Sequence, residues 1–355
     1  MEENYRYALE EQIDYIMTIG TDQPVYTAAA VSARLNLPHP ISEGQGRLVT
    51  NKFYMKAKMV ENMIPTPLYK VFSTFADIHL KDLKYPLVMK PSDSQGQRGI
   101  FVLQGNETTG ELRKLFESSR HYSPSGSVIF EEYCPGDEIT VNCWVREGKA
   151  FILLITDRLH FDDTIALGIC KEQRYPSQAA AGREDEIGAI VQKIVDAFEV
   201  MHGPLYIQMI LNEREASIIE FGYRIGGGFE SETIPRVTGI DILELYFNLV
   251  TKGSNDFTPH DVSQNAQLGA ICFMLARPGT AASIIVPKEF GSMGKLFISE
   301  GQELGNIENA TSRVGCFSCY TNDPDHYHDL LSRLDRGMAI LNENQEDILI
   351  HDIWE

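Results

Sequence analysis

Apolar positions along the chain fall into short runs with two different periods. Ile13 to Gly20 predicts a short buried strand, Gly20-Thr-Asp-Gln-Pro24 its turn, and Val25 to Leu37 a helix. Together they make one βα unit of an open α/β sheet, in which ligands sit past the carboxyl end of the strand. Asn51 to Asn62 predicts a second helix, stopped by Ile64-Pro-Thr-Pro67. Leu87 to Lys90 predicts a strand that runs into the polar glycine loop Pro91-Ser-Asp-Ser-Gln-Gly-Gln-Arg-Gly99, and Ile100 to Leu103 a returning strand. A helix over Thr109 to Ser119, a strand over Val128 to Phe130, a linker over Glu131 to Asp137 and a strand over Glu138 to Val145 follow. Asp157 to Arg183 has few regular signals and reads as a loop near the site. Asp185 to Met201 is strongly helical, and Leu205 to Leu211 with Ser217 to Gly222 reads as a hairpin. Ile240 to Val250 is the last clear helix before a β-rich region from about Gln267.

Composition narrows the function classes. With 31 Lys+Arg against 50 Asp+Glu, the net charge is −19. That argues against nucleic acid or an anionic membrane as partner, although a nucleotide needs only a few local cations. Met1 to Gln12 has no apolar stretch of signal-peptide length and no run approaches a membrane span, so the expectation is a cytoplasmic protein. Cys316 and Cys319 form a lone Cys-x-x-Cys among β-formers, without the second pair a structural zinc site wants, and are expected to be reduced strand residues.

Three constellations carry chemistry. Lys90 ends a buried strand, where an ammonium is costly without an anion. The loop after it offers Gly96 and Gly99, which let backbone amides approach a phosphate. The plain alternative is a solvated surface hairpin. In Phe130-Glu-Glu-Tyr-Cys-Pro-Gly-Asp-Glu138, the linker could present backbone groups to an adenine edge. Glu138 starts a strand on which Glu138, Thr140, Asn142 and Trp144 share a face. Taken alone, that segment could equally be a solvated acidic turn. Finally, Glu220, Gly222 and Arg224 share a face if the strand persists to Arg224. Closing the hairpin at Leu211 and Ser217 puts Gln208 opposite Glu220, about 4.5–5.5 Å apart at Cβ, so that their oxygens could hold Mg²⁺. Arg224 could then take a phosphoryl oxygen bidentately, and Gly226-Gly-Gly228 would leave room for substrate.

In that order these pieces resemble the ATP-grasp superfamily, particularly its carbamoyl-phosphate synthetase, biotin carboxylase and amino-acid ligase branch. The matched segments are Thr18-Ile-Gly-Thr-Asp-Gln-Pro24, Thr50-Asn-Lys52, Tyr85 to Pro91 with its loop, Phe130 to Glu138, Gln208, and Ile219 to Gly228. The resemblance implies an α/β (α+β) fold, with two lobes gripping ATP after a truncated Rossmann-like N-terminal domain. The implied divisions are residues 1–45 for that remnant, 46–134 for the small lid lobe with its leading helix, and 135–355 for the large metal-binding lobe and β-rich tail. Carried over by motif, Lys52 and Lys90 contact phosphates, Ser94, Gly96 and Gly99 close over the triphosphate, Glu131, Glu132, Tyr133 and Cys134 bind adenine, and Glu138 the ribose. Gln208 and Glu220 ligate Mg²⁺ (or Mn²⁺), and Arg224 with Lys90 stabilises the transferring phosphoryl group.

The implied function is an ATP-dependent carboxylate–amine ligase working through an acyl phosphate on small-molecule substrates, with homo-oligomerisation left open. Two departures stand out. Many members carry Asn where this chain has Gly222, and several strands that normally precede Ile13 are missing. They keep one alternative in view, a catalytically degenerate ATP-binding module with a regulatory or assembly role; a carboxylase-type subunit is a third reading.

Overall fold

In the computed structural model, which describes residues 1–94, 96–258 and 268–351, the chain opens with α1 (Glu2–Glu10), α2 (Gln23–Leu35), α3 (Glu43–Thr50) and α4 (Lys52–Glu61). Ser42 and Gln45 form a capping box on α3. Asn51 caps α4 by accepting from the N–H groups of Phe53 and Tyr54, so the helix begins with Lys52. Next come β1 (Tyr69–Phe72), β2 (Leu87–Pro91), β3 (Phe101–Leu103), α5 (Thr109–His121), β4 (Val128–Glu132), β5 (Asp137–Arg146) and β6 (Lys149–His160). After α6 (Asp163–Ala166) and β7 (Cys170–Tyr175) come α7 (Glu184–Ala197), β8 (His202–Leu211), β9 (Ala216–Gly222), α8 (Glu230–Thr238) and α9 (Ile242–Lys252). The remainder holds β10 (Leu268–Met274), β11 (Gly279–Thr280), β12 (Ser283–Ile285), β13 (Gly294–Leu296), β14 (Glu303–Leu304), β15 (Gly315–Thr321), α10 (Pro324–Gly337) and β16 (Ala339–Leu341).

These elements form two compact units, Met1–Ile155 with Ala179–Val262, and Thr156–Gln178 with Ser263–Glu355. The first contains an antiparallel sheet in the order β1-β4-β2-β3. Leu87 and Met89 of β2 and Val128 and Phe130 of β4 pack with Phe116 of α5 in its core. Strand alternation therefore turns Lys90 and Glu131 to the opposite face. The same unit contains β5, β8 and β9, with β8 paired to both others. Ile187, Ile190, Val191, Ile194 and Val195 form the buried stripe of α7.

In the second unit β10 lies between β7 and β15, which in turn pairs with β13. Its core includes Ala270, Cys272, Phe317, Cys319 and Leu334. Cys316 and Cys319 are buried, unbridged residues of β15. Among the described residues no helix is long and apolar enough to cross a membrane.

Four expectations need correction. Ile13 to Gly20 forms no strand of any sheet among the described residues. Its Ile19 is exposed, and its ends are tied off by Ile13 N–H to the Ala8 carbonyl and Gly20 N–H to the Ile225 carbonyl. A strand needs a neighbouring ladder, and among the described residues none pairs with it. Asp157 to Arg183 is no loop, because it holds the end of β6, α6 and β7. Pairing with β6 and β10 organises β7, and its polar Glu172 is buried by Arg174 and the Tyr327 hydroxyl.

α10 was absent from the sequence expectation. It is capped by Asp323 and buries Tyr327, Leu330, Leu331 and Leu334 at i, i+3, i+4 and i+7. The hairpin closes at Leu211 and Ala216 rather than Ser217, but a bulge beside Met209 restores Gln208 to its place opposite Glu220.

Candidate active site

Three strands build a polar face from side chains whose partners lie directly opposite. Thr140 of β5 faces Gln208 of β8, which faces Glu220 of β9. One step along, Asn142, Tyr206 and Gly222 repeat the row. Gln208 donates through Nε2 to Glu138 Oε1 at 3.3 Å. Among the described residues, the Thr140 hydroxyl and the Asn142 Nδ2 are buried with no hydrogen-bond partner. Buried polar atoms left this way mark where a ligand or water belongs.

Two lysines from one face of α4 reach different carboxylates. Lys52 Nζ lies 2.8 Å from Glu220 Oε2 and also donates to the Ser94 carbonyl at 3.1 Å. Lys56, one turn on, lies 3.2 Å from Glu131 Oε1 and donates to the Thr66 hydroxyl at 2.6 Å. Thr66 in turn donates to the Ile218 carbonyl of β9. Lys90 takes the other oxygen of Glu131 at 2.9 Å. The buried Glu131 is thus held between two buried lysines.

Sequence reasoning missed Lys56 and Thr66, although the i, i+4 spacing from Lys52 to Lys56 was a usable signal. The Glu131 side chain, expected to help hold adenine, is committed to lysines. The N–H groups of Glu132 and Tyr133 are taken by the carbonyls of Leu68 and Pro86, and the Glu132 side chain accepts from Lys84 N–H. These bonds leave Cys134 as the first linker amide after them.

The two loop glycines differ. Gly96, at φ +69°, faces open space, whereas a Cβ on Gly99 would meet Tyr122 at 2.9 Å and Ser119 at 3.1 Å. Gly99 is therefore required by packing against the end of α5. Gly226 and Gly227 also leave no room for substrate. A Cβ on Gly226 would sit 2.3 Å from the Glu230 carboxyl carbon, and one on Gly227 would sit 2.2 Å from the Gly20 carbonyl oxygen.

Strand β9 ends at Gly222, so Arg224 leaves the ladder. Its guanidinium stacks over Tyr206 at 4.4 Å and is held by Asp22 through Nε to Oδ1 at 2.5 Å and Nη2 to Oδ2 at 3.1 Å. The bidentate edge expected to meet a phosphoryl group is thus occupied by a carboxylate from the turn before α2. Asp22 was legible only as part of that turn.

Electrostatics follow from this layout. Burial opposes ionisation of Glu220, but Lys52, Lys90 and Arg224 outweigh it and hold its carboxyl at about 2. Burial likewise opposes charge on Glu131, and the two lysines overcome it, so its carboxyl also falls below the usual range. For Lys56 burial dominates, and with Lys90 beside it the ammonium drops to about 8 despite Glu131. An unfolded lysine titrates near about 10.4, so native Lys56 carries its charge at a cost that is fully present below pH 8 and fades as pH rises towards the unfolded value. Relative to Lys56→Met, the parent protein should gain roughly 2 kcal/mol of stability between pH 7 and 9.5. Urea unfolding at both pH values checks this, and a difference that shrinks or reverses with rising pH would contradict it.

Residues 50–228 match the family described as phosphoribosylglycinamide synthetase, ATP-grasp (A) domain. The chain belongs to that ATP-grasp family. Its matched span begins two residues before Lys52 and ends at Gly228, enclosing both lysine–carboxylate clusters and the three-strand face. A phosphoribosylamine–glycine ligase of Caldanaerobacter subterraneus subsp. tengcongensis is 24% identical over 257 residues, covering 67% of this chain and 60% of that protein. The chain thus spans about three-fifths of that curated relative.

The L-amino acid ligase from Bacillus licheniformis superposes with a TM-score of 0.76 at 19% identity, over 96% of this chain and 83% of that one. The biotin carboxylase domain of Hydrogenobacter thermophilus 2-oxoglutarate carboxylase, solved as a dimer with MgADP and bicarbonate, gives 0.73 at 18%, over 96% and 77%. At such identities these structures establish the fold, which is that of ATP-grasp proteins.

Proposed function

We propose that this chain is an ATP-dependent carboxylate–amine ligase that works through an acyl phosphate and releases ADP and phosphate. The observation that carries the reading is the convergence of Lys52, Lys90, Glu220 and Gln208 within one unit, with Lys52 already paired to Glu220. The names of the relatives support the substrate class: one joins phosphoribosylamine with glycine, and another is an L-amino acid ligase.

A divalent cation fits the donor set. Mg²⁺ is usually bound by one or two carboxylates together with substrate phosphates. Glu220, ionised down to about pH 2, and the neighbouring Gln208 supply such a set. Among the described residues no cluster of three His, Cys, Asp or Glu side chains competes for the ion. The cation would neutralise charge on the phosphates.

The substrate carboxylate oxygen forms a bond to the γ-phosphorus as the bond to the β–γ bridging oxygen breaks, giving ADP. The amine nitrogen then bonds to the acyl carbon, the carbon–oxygen bond to phosphate breaks, and the amine loses a proton to solvent. Lys52 and Lys90 hold phosphate oxygens and Arg224 faces the transferring group. The Cys134 backbone meets adenine, Glu138 the ribose, and Gly96 with Ser94 the covering loop. No nucleophilic side chain is required, since positioning and a preorganised field supply the catalysis. In this reading residues 1–45 precede a lid lobe of 46–134 and a metal-binding lobe of 135–355.

Calorimetry should detect ATP binding that strengthens with magnesium. A phosphate-release screen over amino acids and other small acids, each paired with amines, should find substrates that yield ADP and phosphate. Failure of folded protein to bind nucleotide would remove the reading, and AMP with pyrophosphate as stoichiometric products would refute the acyl-phosphate mechanism.

A further inference from the structure

The bare position Gly222 has a specific neighbour. A Cβ built there would lie 2.4 Å from Asp22 Oδ1 and 3.3 Å from the Arg224 Cγ and Nε. The first distance is about the span from Cβ to a terminal oxygen within an Asp or Asn side chain. The Asp22 oxygen therefore stands where a short acid or amide side chain on residue 222 would place its own. Residue 222 lies two positions from Glu220 on the same strand.

Backbone contacts show how the carboxylate is brought there. Gly20 N–H donates to the Ile225 carbonyl at 3.1 Å, and the Gly20 carbonyl oxygen fills the space a Gly227 side chain would need. On the other side of Asp22, Gln23 Nε2 donates to the Asp93 carbonyl at 3.0 Å. The turn from Gly20 to Gln23 is thus seated on the segment 222–227 through two glycines, and Asp22 reaches Arg224 from it. Two hydrogen bonds fix the Nε and Nη2 edge of the guanidinium while Tyr206 supports its face.

We propose that Asp22 is the positioning residue for Arg224, supplying from the N-terminal segment the side-chain oxygen that position 222 lacks. The inference rests on the ligase reading, in which Arg224 faces the γ-phosphoryl group. Gly222 is then the seat of Asp22, since any side chain there would displace the carboxylate oxygen. A misaimed guanidinium would cost affinity for a γ-phosphate while leaving contacts to the rest of the nucleotide in place.

The test compares Mg-ADP with Mg-AMP-PNP by calorimetry, since neither needs the unidentified acid or amine. Asp22→Ala should bind ADP as the parent does and lose about tenfold of its AMP-PNP affinity, the scale of one charged hydrogen bond. Adding Gly222→Asp to Asp22→Ala should return most of that loss, because the new carboxylate oxygen can reach the vacated point. Gly222→Asp alone, crowding two carboxylates, should be as poor as Asp22→Ala or worse. An Asp22→Ala protein with unchanged or increased preference for AMP-PNP over ADP would overturn the inference. So would a folded double variant that recovers nothing. A parent protein that binds neither nucleotide would instead sink the ligase reading.

Discussion

Glu220→Ala should lower kcat by about 10²–10³-fold or more while the protein stays folded, the range seen when one preorganised charge-stabilising group is removed. The loss has two sources. The substitution removes the one carboxylate of the paired donors Gln208 and Glu220, and it leaves Lys52 without its 2.8 Å partner. Lys52 is then free to fold back onto the Ser94 carbonyl it already touches rather than onto a phosphate. The fold should survive because the Glu220 side chain is 27% exposed and contributes little to the apolar core. Glu220→Gln should keep the shape and still fail, since a neutral amide neither balances Lys52 nor binds a hard cation as strongly. Phosphate release with a working acid and amine, read beside circular dichroism, decides it. A folded Glu220→Ala protein with more than a tenth of parental kcat would show that Glu220 is not a ligand.

The largest effect on stability should come from Glu131→Ala. Glu131 is 3% exposed and sits between Lys56 and Lys90, whose side chains are 0% and 7% exposed. Removing the carboxylate leaves two ammonium groups buried near each other without the one carboxylate that contacts both. Breaking one side of a buried ion pair costs about 3–5 kcal/mol. Adding Lys56→Met should return part of it by removing one stranded charge, although the methionine cannot donate to Thr66. Denaturant unfolding of the parent, single and double variants measures both terms. A loss below about 1 kcal/mol in Glu131→Ala, within the range of ordinary surface substitutions, would show that the lysines are not held by Glu131.

Much of the site was legible because it lies on regular strands. The alternation of Leu87-Val-Met-Lys90 placed Lys90 away from the core, and the short connection after β8 set Gln208 against Glu220. The register survived an incorrect closing pair only because a bulge inserts one residue between Ile218 and Glu220, and β-propensity alone carries no mark of that. The period-2 argument failed at Arg224, where the chain leaves the sheet after Gly222. It also failed for the loop glycines, because a glycine looks the same in sequence whether it admits a ligand, as Gly96 could, or a neighbouring side chain, as Gly99 and Gly226 do.

The sequence by itself determined the order of the motifs, the strand faces of Lys90, Gln208 and Glu220, and the membership that residues 50–228 carry. These depend on local period and residue type, which a linear string contains. Only the tertiary structure decided that Glu131 serves lysines, that β7 is a strand, and that Asp22 lies beside Gly222, 200 positions away along the chain and within 2.4 Å of its Cβ direction. A buried charge chooses its partner by proximity in a medium of low dielectric, and proximity between distant segments is a property of packing rather than of either segment alone.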